Sequence, residues 1–269
     1  MSFLRLERHV KELEDYCAES GHRVLSLYLN TEPDRNRPQS WKIKFKSGMK
    51  RLREYAEAEG GEEQVKMFDH LRPSVEHAVE EMRGDLKKGL LLFACSSGQF
   101  TVVETVQVPT PDAFYWEDRP HMQELQEMMK TYPPAGLVQA GSDGVSVIST
   151  SLGEIVDEWH YEWDIQQDRW RQKKGLGHAG ILASSANHRD QYDKKLDVNR
   201  QRWLKDFVPV LESHTRKQKW KEIILTGEPD VTSDLVGMLN TKSRQRIIPK
   251  NFNGMPSAQL LQEVHSNLR

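Results

Sequence analysis

Short apolar runs alternate along the chain with segments in which apolar residues recur every three or four positions. Continuous or alternating apolar runs are typical of strands, and the wider spacing is typical of helices that bury one face. In the first half of the chain this pattern predicts a helix, a strand, two helices, two strands and a final helix. The predicted ranges are 3–19, 23–30, 41–59, 62–83, 89–96, 99–108 and 119–131.

Glycine and proline pairs interrupt this pattern at two places. Gly60-Gly61 separates the two consecutive helices, because glycine is unfavourable in a helix interior. Pro133-Pro134 follows the last helix, and such a pair both ends a helix and stiffens the link after it. We therefore expect two domains, an N-terminal α/β domain at 1–132 and a second domain at 133–269.

The second half shows the same alternation of strands and helices. Strands are predicted at 136–140, 145–150, 154–163, 222–226 and 246–248, and helices at about 190–213, 231–240 and 257–268. Because this alternation runs through both halves, we expect a mixed α/β (α+β) protein with one helix-packed sheet in each domain. Residues 164–189 show no hydrophobic period and are predicted to form a long loop, and loops of that length tend to carry function.

The composition fits a globular cytoplasmic protein without a cofactor. Hydrophobic residues make up 37% of the chain and charged residues 29%. No apolar run approaches the roughly 20 residues of a membrane helix, and the charged N-terminus lacks a secretory signal, so no membrane contact is expected. The isolated Cys17 and Cys95 and the scattered histidines show no metal-ligand spacing, and we expect no metal site.

A net charge of -2 hides strong charge segregation near the N-terminus. The stretch 35–53 holds eight basic residues and no acidic one, whereas 54–85 holds ten acidic and three basic residues. A polyanion approaching the first stretch would meet a concentrated positive field. The eight basic residues are Arg35, Arg37, Lys42, Lys44, Lys46, Lys50, Arg51 and Arg53.

The predicted loop at 164–189 combines basic, aromatic and glycine residues. Basic side chains neutralise phosphates, an aromatic side chain stacks on unpaired bases, and glycines let the backbone approach a ligand closely. This combination favours a flexible segment that contacts RNA, and the alternative is a solvated surface loop with ordinary turn glycines. The candidate RNA-binding residues are Arg169, Trp170, Arg171, Lys173, Lys174, Gly175, Gly177, Gly180 and Arg189.

Two further basic stretches, 216–221 and 242–250, also lack acidic residues. Each alone is typical of a solvated face, but four such stretches in a net-acidic protein favour a polyanionic partner. Among the tryptophans, Trp41 lies between basic residues, as does Trp170, and is a second candidate for RNA contact. The remaining candidates, Trp159, Trp163 and Trp203, are predicted to be core residues.

The order of these parts resembles the first two domains of archaeal and eukaryotic class-1 peptide-chain release factors. The chain is more specifically similar to their bacterial relatives, including the Vms1-like release factor group, and the similarity is best from about 135 to 250. The segments that carry it are 24–30 (VLSLYLN), 135–148 (AGLVQAGSDGVSVI), 188–204 (HRDQYDKKLDVNRQRWL) and 223–230 (IILTGEPD).

This resemblance implies a ribonuclease-H-like second domain whose loop carries Gly-Gly-Gln in the family. That loop enters the peptidyl-transferase centre, where the glycines allow close approach to the ester and the glutamine helps place the attacking water. No Gly-Gly-Gln occurs in this sequence. Either His178 or Asn187 replaces the glutamine, with His178 suited to act as a general base near neutral pH, or ester hydrolysis has been lost or weakened. His178 as an ordinary exposed histidine also fits the sequence.

The resemblance further implies a ribosome-binding protein shaped like a release factor or a tRNA. It would enter the A site, contact ribosomal RNA and peptidyl-tRNA in the P site, and act in ribosome rescue, quality control or hibernation. The basic stretch 35–53 and the loop 164–189 would make the main contacts with RNA. The chain ends at Arg269, so we expect neither the third domain that recruits a GTPase in longer relatives nor stop-codon decoding, and a GTPase partner stays open. The alternatives are a peptidyl-tRNA hydrolase or tRNA nuclease with a replaced catalytic residue, and a non-ribosomal interaction module with a decayed loop.

Overall fold

A computed structural model of the protein contains two compact units, residues 1–131 and residues 132–269. The structure describes residues 9–19, 21–33, 39–141, 144–164, 169–173 and 186–267. Each unit contains one β-sheet with packed helices, so the predicted mixed α/β class is confirmed.

The first unit is built on a four-stranded antiparallel sheet in the order β3-β2-β1-β4. Its strands are β1 (Val24–Asn30), β2 (Gly89–Cys95), β3 (Thr101–Val106) and β4 (Ala113–Glu117). All seven residues of β2 are buried, so both faces of this central strand are covered. The strand β4 is absent from the sequence prediction, although its residues include three consecutive aromatic ones.

A long helical hairpin supplies most of the helix in the first unit. Residues 9–14 form a short helix α1, and the predicted continuation to residue 19 is wrong because 15–19 are not helical. Helix α2 (Ser40–Glu81) is broken at Gly61, whose φ of 62° and ψ of -155° are accessible to glycine alone. The predicted break at Gly60-Gly61 is thus confirmed. Helix α3 is Gln123–Thr131, and a 3-10 turn covers Met82–Asp85.

Both halves of α2 bury one apolar face against the sheet. Apolar residues recur at helical spacing before and after the break, and they pack on the alternating leucines of β1. The core includes Leu25, Leu27, Leu29, Phe45, Met49, Leu52, Phe68, Leu71, Val75 and Val79. This packing explains why both helices were predictable from periodicity.

The second unit is built on a six-stranded mixed sheet in the order β10-β9-β5-β6-β7-β8. Strands β5 to β8 form an antiparallel meander, while β9 runs parallel to both β5 and β10. Its strands are β5 (Ala135–Ala140), β6 (Gly144–Ser151), β7 (Glu154–Asp164), β8 (Arg169–Lys173), β9 (Glu222–Gly227) and β10 (Arg244–Ile248).

Three helices cover the two faces of this sheet. Val138 of β5 packs with α4 (Ala186–Lys217) and α5 (Pro229–Met238), whereas its neighbour Leu137 packs with α6 (Ser257–Asn267). Because successive strand residues point to opposite faces, the second unit has a helix–sheet–helix layering with a core on each side.

The predicted loop at 164–189 is wrong at both of its ends. Asp164 is the last residue of β7, residues 169–173 form β8, and α4 begins at Ala186. Strand β8 lies at the sheet edge and is polar or charged at four of its five positions, so it shows no hydrophobic alternation. Its backbone pairing with β7 holds it in place without that signal.

The described residues include neither a membrane-spanning helix nor a cluster of metal ligands. None of the helices among them combines the length and apolarity needed to cross a bilayer. Within the same part of the chain, histidine, cysteine and carboxylate side chains form no cluster of three that would suit a metal ion. Cys95 is a buried free thiol and Cys17 an exposed one.

Candidate functional site

The basic segment of the second unit, residues 169–174, includes the edge strand β8. Strand β8 pairs antiparallel with β7 from Asp164 opposite Arg169 to His160 opposite Lys173. Helix α4 contacts β8 and begins at Ala186. Regular structure therefore ends at Lys173 and begins again at Ala186 among the described residues.

The structure places part of the predicted site on these two elements. Arg169, Trp170, Arg171 and Lys173 share β8, and Arg171 is exposed. Asn187 and Arg189 lie in the first turn of α4. Five further predicted residues lie outside the described part of the chain: Lys174, Gly175, Gly177, His178 and Gly180.

A tryptophan pair packs helix α4 against β7, the strand that pairs with β8. Trp163 of β7 stacks on Trp203 of α4 with ring centroids 4.6 Å apart and planes at 26°. Their residues are 4% and 3% exposed, so the prediction that both belong to the core is confirmed. The stack fixes α4 against β7 close to the point where β8 begins.

A half-buried histidine in the same unit carries a perturbed pKa and was not singled out from the sequence. The Nε2 atom of His214 lies 2.6 Å from the Tyr161 hydroxyl, and the ring lies 4.0 Å from that of Trp159. Burial lowers the pKa of His214, and the charge of Lys217 lowers it further. Burial also raises the pKa of Tyr161, so the phenol stays protonated near neutral pH.

Replacing His214 is expected to reduce the loss of stability of the second unit at acidic pH. The folded state disfavours the imidazolium form of His214. The contribution of the neutral ring to stability is therefore complete at pH values above the unfolded-state pKa of about 6.5, and it decreases as the pH falls below that value. We expect the melting temperature of the native protein to fall more steeply between about pH 7 and pH 5 than that of His214→Gln. Thermal unfolding across this pH range measures it, with the exposed His77→Gln as control. Equal pH slopes for the native protein and His214→Gln would contradict the prediction.

In the first unit, the basic stretch is paired with the acidic stretch that follows it in sequence. Arg53 Nε lies 2.9 Å from Asp69, and Lys42 Nζ lies 3.3 Å from Glu80. These hydrogen bonds lower the pKa of each carboxyl group. The two pairs are placed symmetrically about Gly61, so the halves of α2 run antiparallel and much of the charge segregation in sequence is cancelled in space.

The remaining predicted RNA-binding residues of the first unit differ in their pairing. Lys44 lies 2.9 Å from Asp112 and Lys50 lies 3.8 Å from Glu54. Lys46 and Arg51 are exposed, and neither has an acidic partner within 4.0 Å among the described residues. The suggested role of Trp41 in RNA contact is wrong, because this residue is 6% exposed and belongs to the core. Arg35 and Arg37 lie outside the described residues.

Arg51 lines an open groove between α2 and β4. The groove has a volume of about 740 Å³ and is lined by the aromatic side chains of Tyr55 and Phe114 among others. Gly48 permits this arrangement, because a Cβ atom there would overlap the Phe114 ring. A guanidinium beside the exposed ring of Tyr55 is a combination that suits stacking on an unpaired base.

Residues 133–266, almost the whole second unit, match the model of bacterial archaeo-eukaryotic release factor family 5. Through this half the chain belongs to the bacterial archaeo-eukaryotic release factors, and the resemblance seen in the sequence is confirmed. The chain is also similar to "Uncharacterized protein YocB" of Bacillus subtilis (strain 168). The identity is 26% over 251 residues, which is 93% of this chain and 94% of that protein.

Similar solved structures include two archaeal ones. An archaeal protein has 14% sequence identity and a TM-score of 0.35, with 100% of this chain and 75% of that chain covered. The archaeal translation termination factor aRF1 has 14% identity and a TM-score of 0.33, with the same coverage of both chains.

Proposed function

We propose that this protein binds ribosomes in the cytoplasm, enters the A site, and acts in rescue, quality control or hibernation rather than in stop-codon termination. One observation supports this most. The half of the chain that belongs to the release factor family carries a dense basic segment, residues 169–174, of which 169–173 form the edge strand β8. Release factors of this family present the corresponding loop to the peptidyl-transferase centre.

The chemistry of the segment suits contact with RNA rather than ester hydrolysis. Arg169, Arg171, Lys173 and Lys174 supply four cations within six residues, and Trp170 supplies an aromatic ring. Cations that neutralise phosphates release counterions and give strong, salt-dependent binding. Because Gly-Gly-Gln is missing, the segment occupies or probes the site near the P-site peptidyl-tRNA without a glutamine to place the attacking water.

Reversing the four cations is expected to weaken ribosome binding at least tenfold. In a salt series, the slope of log K against log salt should shrink by roughly 3, because each lost phosphate contact contributes about 0.7–0.9. Co-sedimentation of the purified protein with empty, stalled and translating ribosomes measures both quantities. The variant carries Arg169→Glu, Arg171→Glu, Lys173→Glu and Lys174→Glu.

A control with the same charge change should keep its affinity. It carries Lys11→Glu, Arg119→Glu, Lys130→Glu and Lys205→Glu, all at exposed positions outside residues 169–174. Absence of binding to every ribosome state would overturn the proposal. Release of peptide from ribosome-bound peptidyl-tRNA, abolished by His178→Ala, would instead show a hydrolase and reject the non-hydrolytic role.

A further inference from the structure

Two basic stretches that are separate in the sequence meet in one pocket of the second unit. Arg216 lies in the last turn of α4, Lys219 and Lys221 lie in the turn between α4 and β9, and Lys242 lies in the loop before β10. Together they line a pocket of about 380 Å³, which we call the α4-end pocket.

The sheet brings these stretches together. Strands β9 and β10 are parallel with Glu222 opposite Arg244, so both strands begin at the same edge of the sheet. The Arg244 N–H donates to the Lys221 carbonyl oxygen at 2.9 Å, and the Ser243 hydroxyl donates to the Trp220 carbonyl oxygen at 2.8 Å. The backbone that carries the lysines is therefore fixed rather than free to separate.

The charge of the α4-end pocket stays positive after all its neighbours are counted. Four cations face one carboxylate, that of Glu212, which accepts the Asn240 N–H at 3.1 Å and lies 3.9 Å from Arg216. Helices α4 and α5 both end here, and each helix C-terminus contributes about -0.5 charge. The net charge of the pocket is therefore about +2, which is more positive charge than the two helix C-termini need for neutralisation. Among the described residues, no acidic side chain lies within 4.0 Å of the Lys219, Lys221 or Lys242 ammonium group.

Lys219 occupies a backbone position that favours glycine. Helix α4 ends with the Trp220 N–H bonded to the Thr215 carbonyl oxygen at 3.1 Å and the Lys219 N–H bonded to that of Arg216 at 3.3 Å. This is a Schellman motif, and its left-handed residue, here Lys219 at φ 53°, is usually glycine. A lysine here costs free energy, and such strain is a feature of functional positions.

We propose that the α4-end pocket binds the phosphodiester backbone of RNA. The pocket is small enough for one or two phosphates, and its lysines are point charges suited to phosphate without reading the base. It lies at the opposite end of α4 from the segment 174–185. The 32 residues of α4 span about 48 Å, so one RNA surface touching both must be large. Ribosomal RNA as the source rests on the function proposed above.

The substitution Lys219→Gly separates binding from folding. It removes one ammonium group and relieves the left-handed strain, so we expect the melting temperature to rise by roughly 2–4 °C while RNA affinity falls by about threefold to tenfold. The triple variant Lys219→Glu, Lys221→Glu and Lys242→Glu should weaken RNA binding further and reduce the salt slope by roughly 2 to 3. A merely structural lysine would show the change in stability without the change in affinity.

Binding is measured twice, by co-sedimentation with ribosomes and by fluorescence anisotropy on a protein-free ribosomal RNA fragment. The control Lys130→Glu, Lys205→Glu and Lys250→Glu has the same charge change outside the pocket. Loss of RNA affinity in the pocket variants but not in the control supports the inference. It does so even if the native protein binds the RNA fragment but not ribosomes, a result that would reject only the proposed ribosomal function. Equal affinity of the pocket and control variants, or no RNA binding by the native protein in either assay, overturns it.

Discussion

Replacing Gly227 with alanine is expected to destabilise the second unit by about 3 kcal/mol or more. Gly227 ends β9 at φ 122°, a conformation that other residues rarely adopt. A Cβ atom there would overlap the carbonyl oxygen of Ala140 and lie 3.0 Å from its nitrogen. These are backbone atoms of β5, paired with β9 in register, so they cannot move aside as a side chain does.

The matched control is Gly237→Ala in α5. A Cβ atom at Gly237 meets nothing within 4 Å, and alanine favours a helix over glycine by roughly 0.5–1 kcal/mol. We therefore expect this variant to unfold at the same urea concentration as the native protein or at a higher one. Urea unfolding followed by circular dichroism measures both, and a midpoint for Gly227→Ala equal to that of Gly237→Ala would contradict the argument.

The effect matters for function because β9 holds the second unit together. It lies between β5 and β10, packs on both helical layers, and leads from the α4-end pocket at one end to Gly227 at the other. Loss of ribosome binding in Gly227→Ala would therefore reflect unfolding. Only variants that are at least as stable as the native protein, such as Lys219→Gly, identify contact residues.

Elements that bury apolar side chains were predictable from the sequence. Every residue of β9 is buried, and its run of isoleucine and leucine predicted a strand within one residue of its end. Both halves of α2 show apolar residues at helical spacing, and Gly60-Gly61 predicted the break between them. In these segments local pattern and tertiary packing point to the same structure.

Two strands were missed for different reasons. The aromatic residues Phe114, Tyr115 and Trp116 of β4 are strand formers, and this signal was sufficient to find the strand. Strand β8 is charged at three of its five positions, and it depends on pairing with β7 at the sheet edge. No periodicity in the sequence marks such a strand, because only its backbone is required.

The candidate site was less predictable because charge pairing and convergence depend on topology. The basic stretch of α2 was interpreted as a surface for RNA, but the hairpin brings Asp69 to Arg53 and Glu80 to Lys42. Conversely, the two basic stretches of the second unit, each unremarkable alone, meet only because β9 and β10 start at one edge. The basic residues can be read from the sequence, but the fold decides which of them remain available to bind RNA.

Replacing Trp203 with alanine is the second change with a large expected effect, at about 3–5 kcal/mol of unfolding free energy. Trp203 is 3% exposed, and its ring stacks on Trp163, so alanine leaves a cavity between β7 and α4. Urea unfolding followed by circular dichroism measures the loss, since fluorescence would change with the tryptophan itself. Trp203→Phe keeps an aromatic ring and should lose less than half as much.

The same cavity is expected to weaken RNA contact by the basic segment, because the stack holds α4 on β7, the strand with which β8 pairs. Binding is measured at low temperature, where Trp203→Ala is still folded by circular dichroism. We expect the affinity of Trp203→Ala for ribosomes to fall while Trp203→Phe stays close to the native value. Folded Trp203→Ala that binds ribosomes as tightly as the native protein would contradict this prediction. Binding would then depend on the charge of the segment and not on the position of β8.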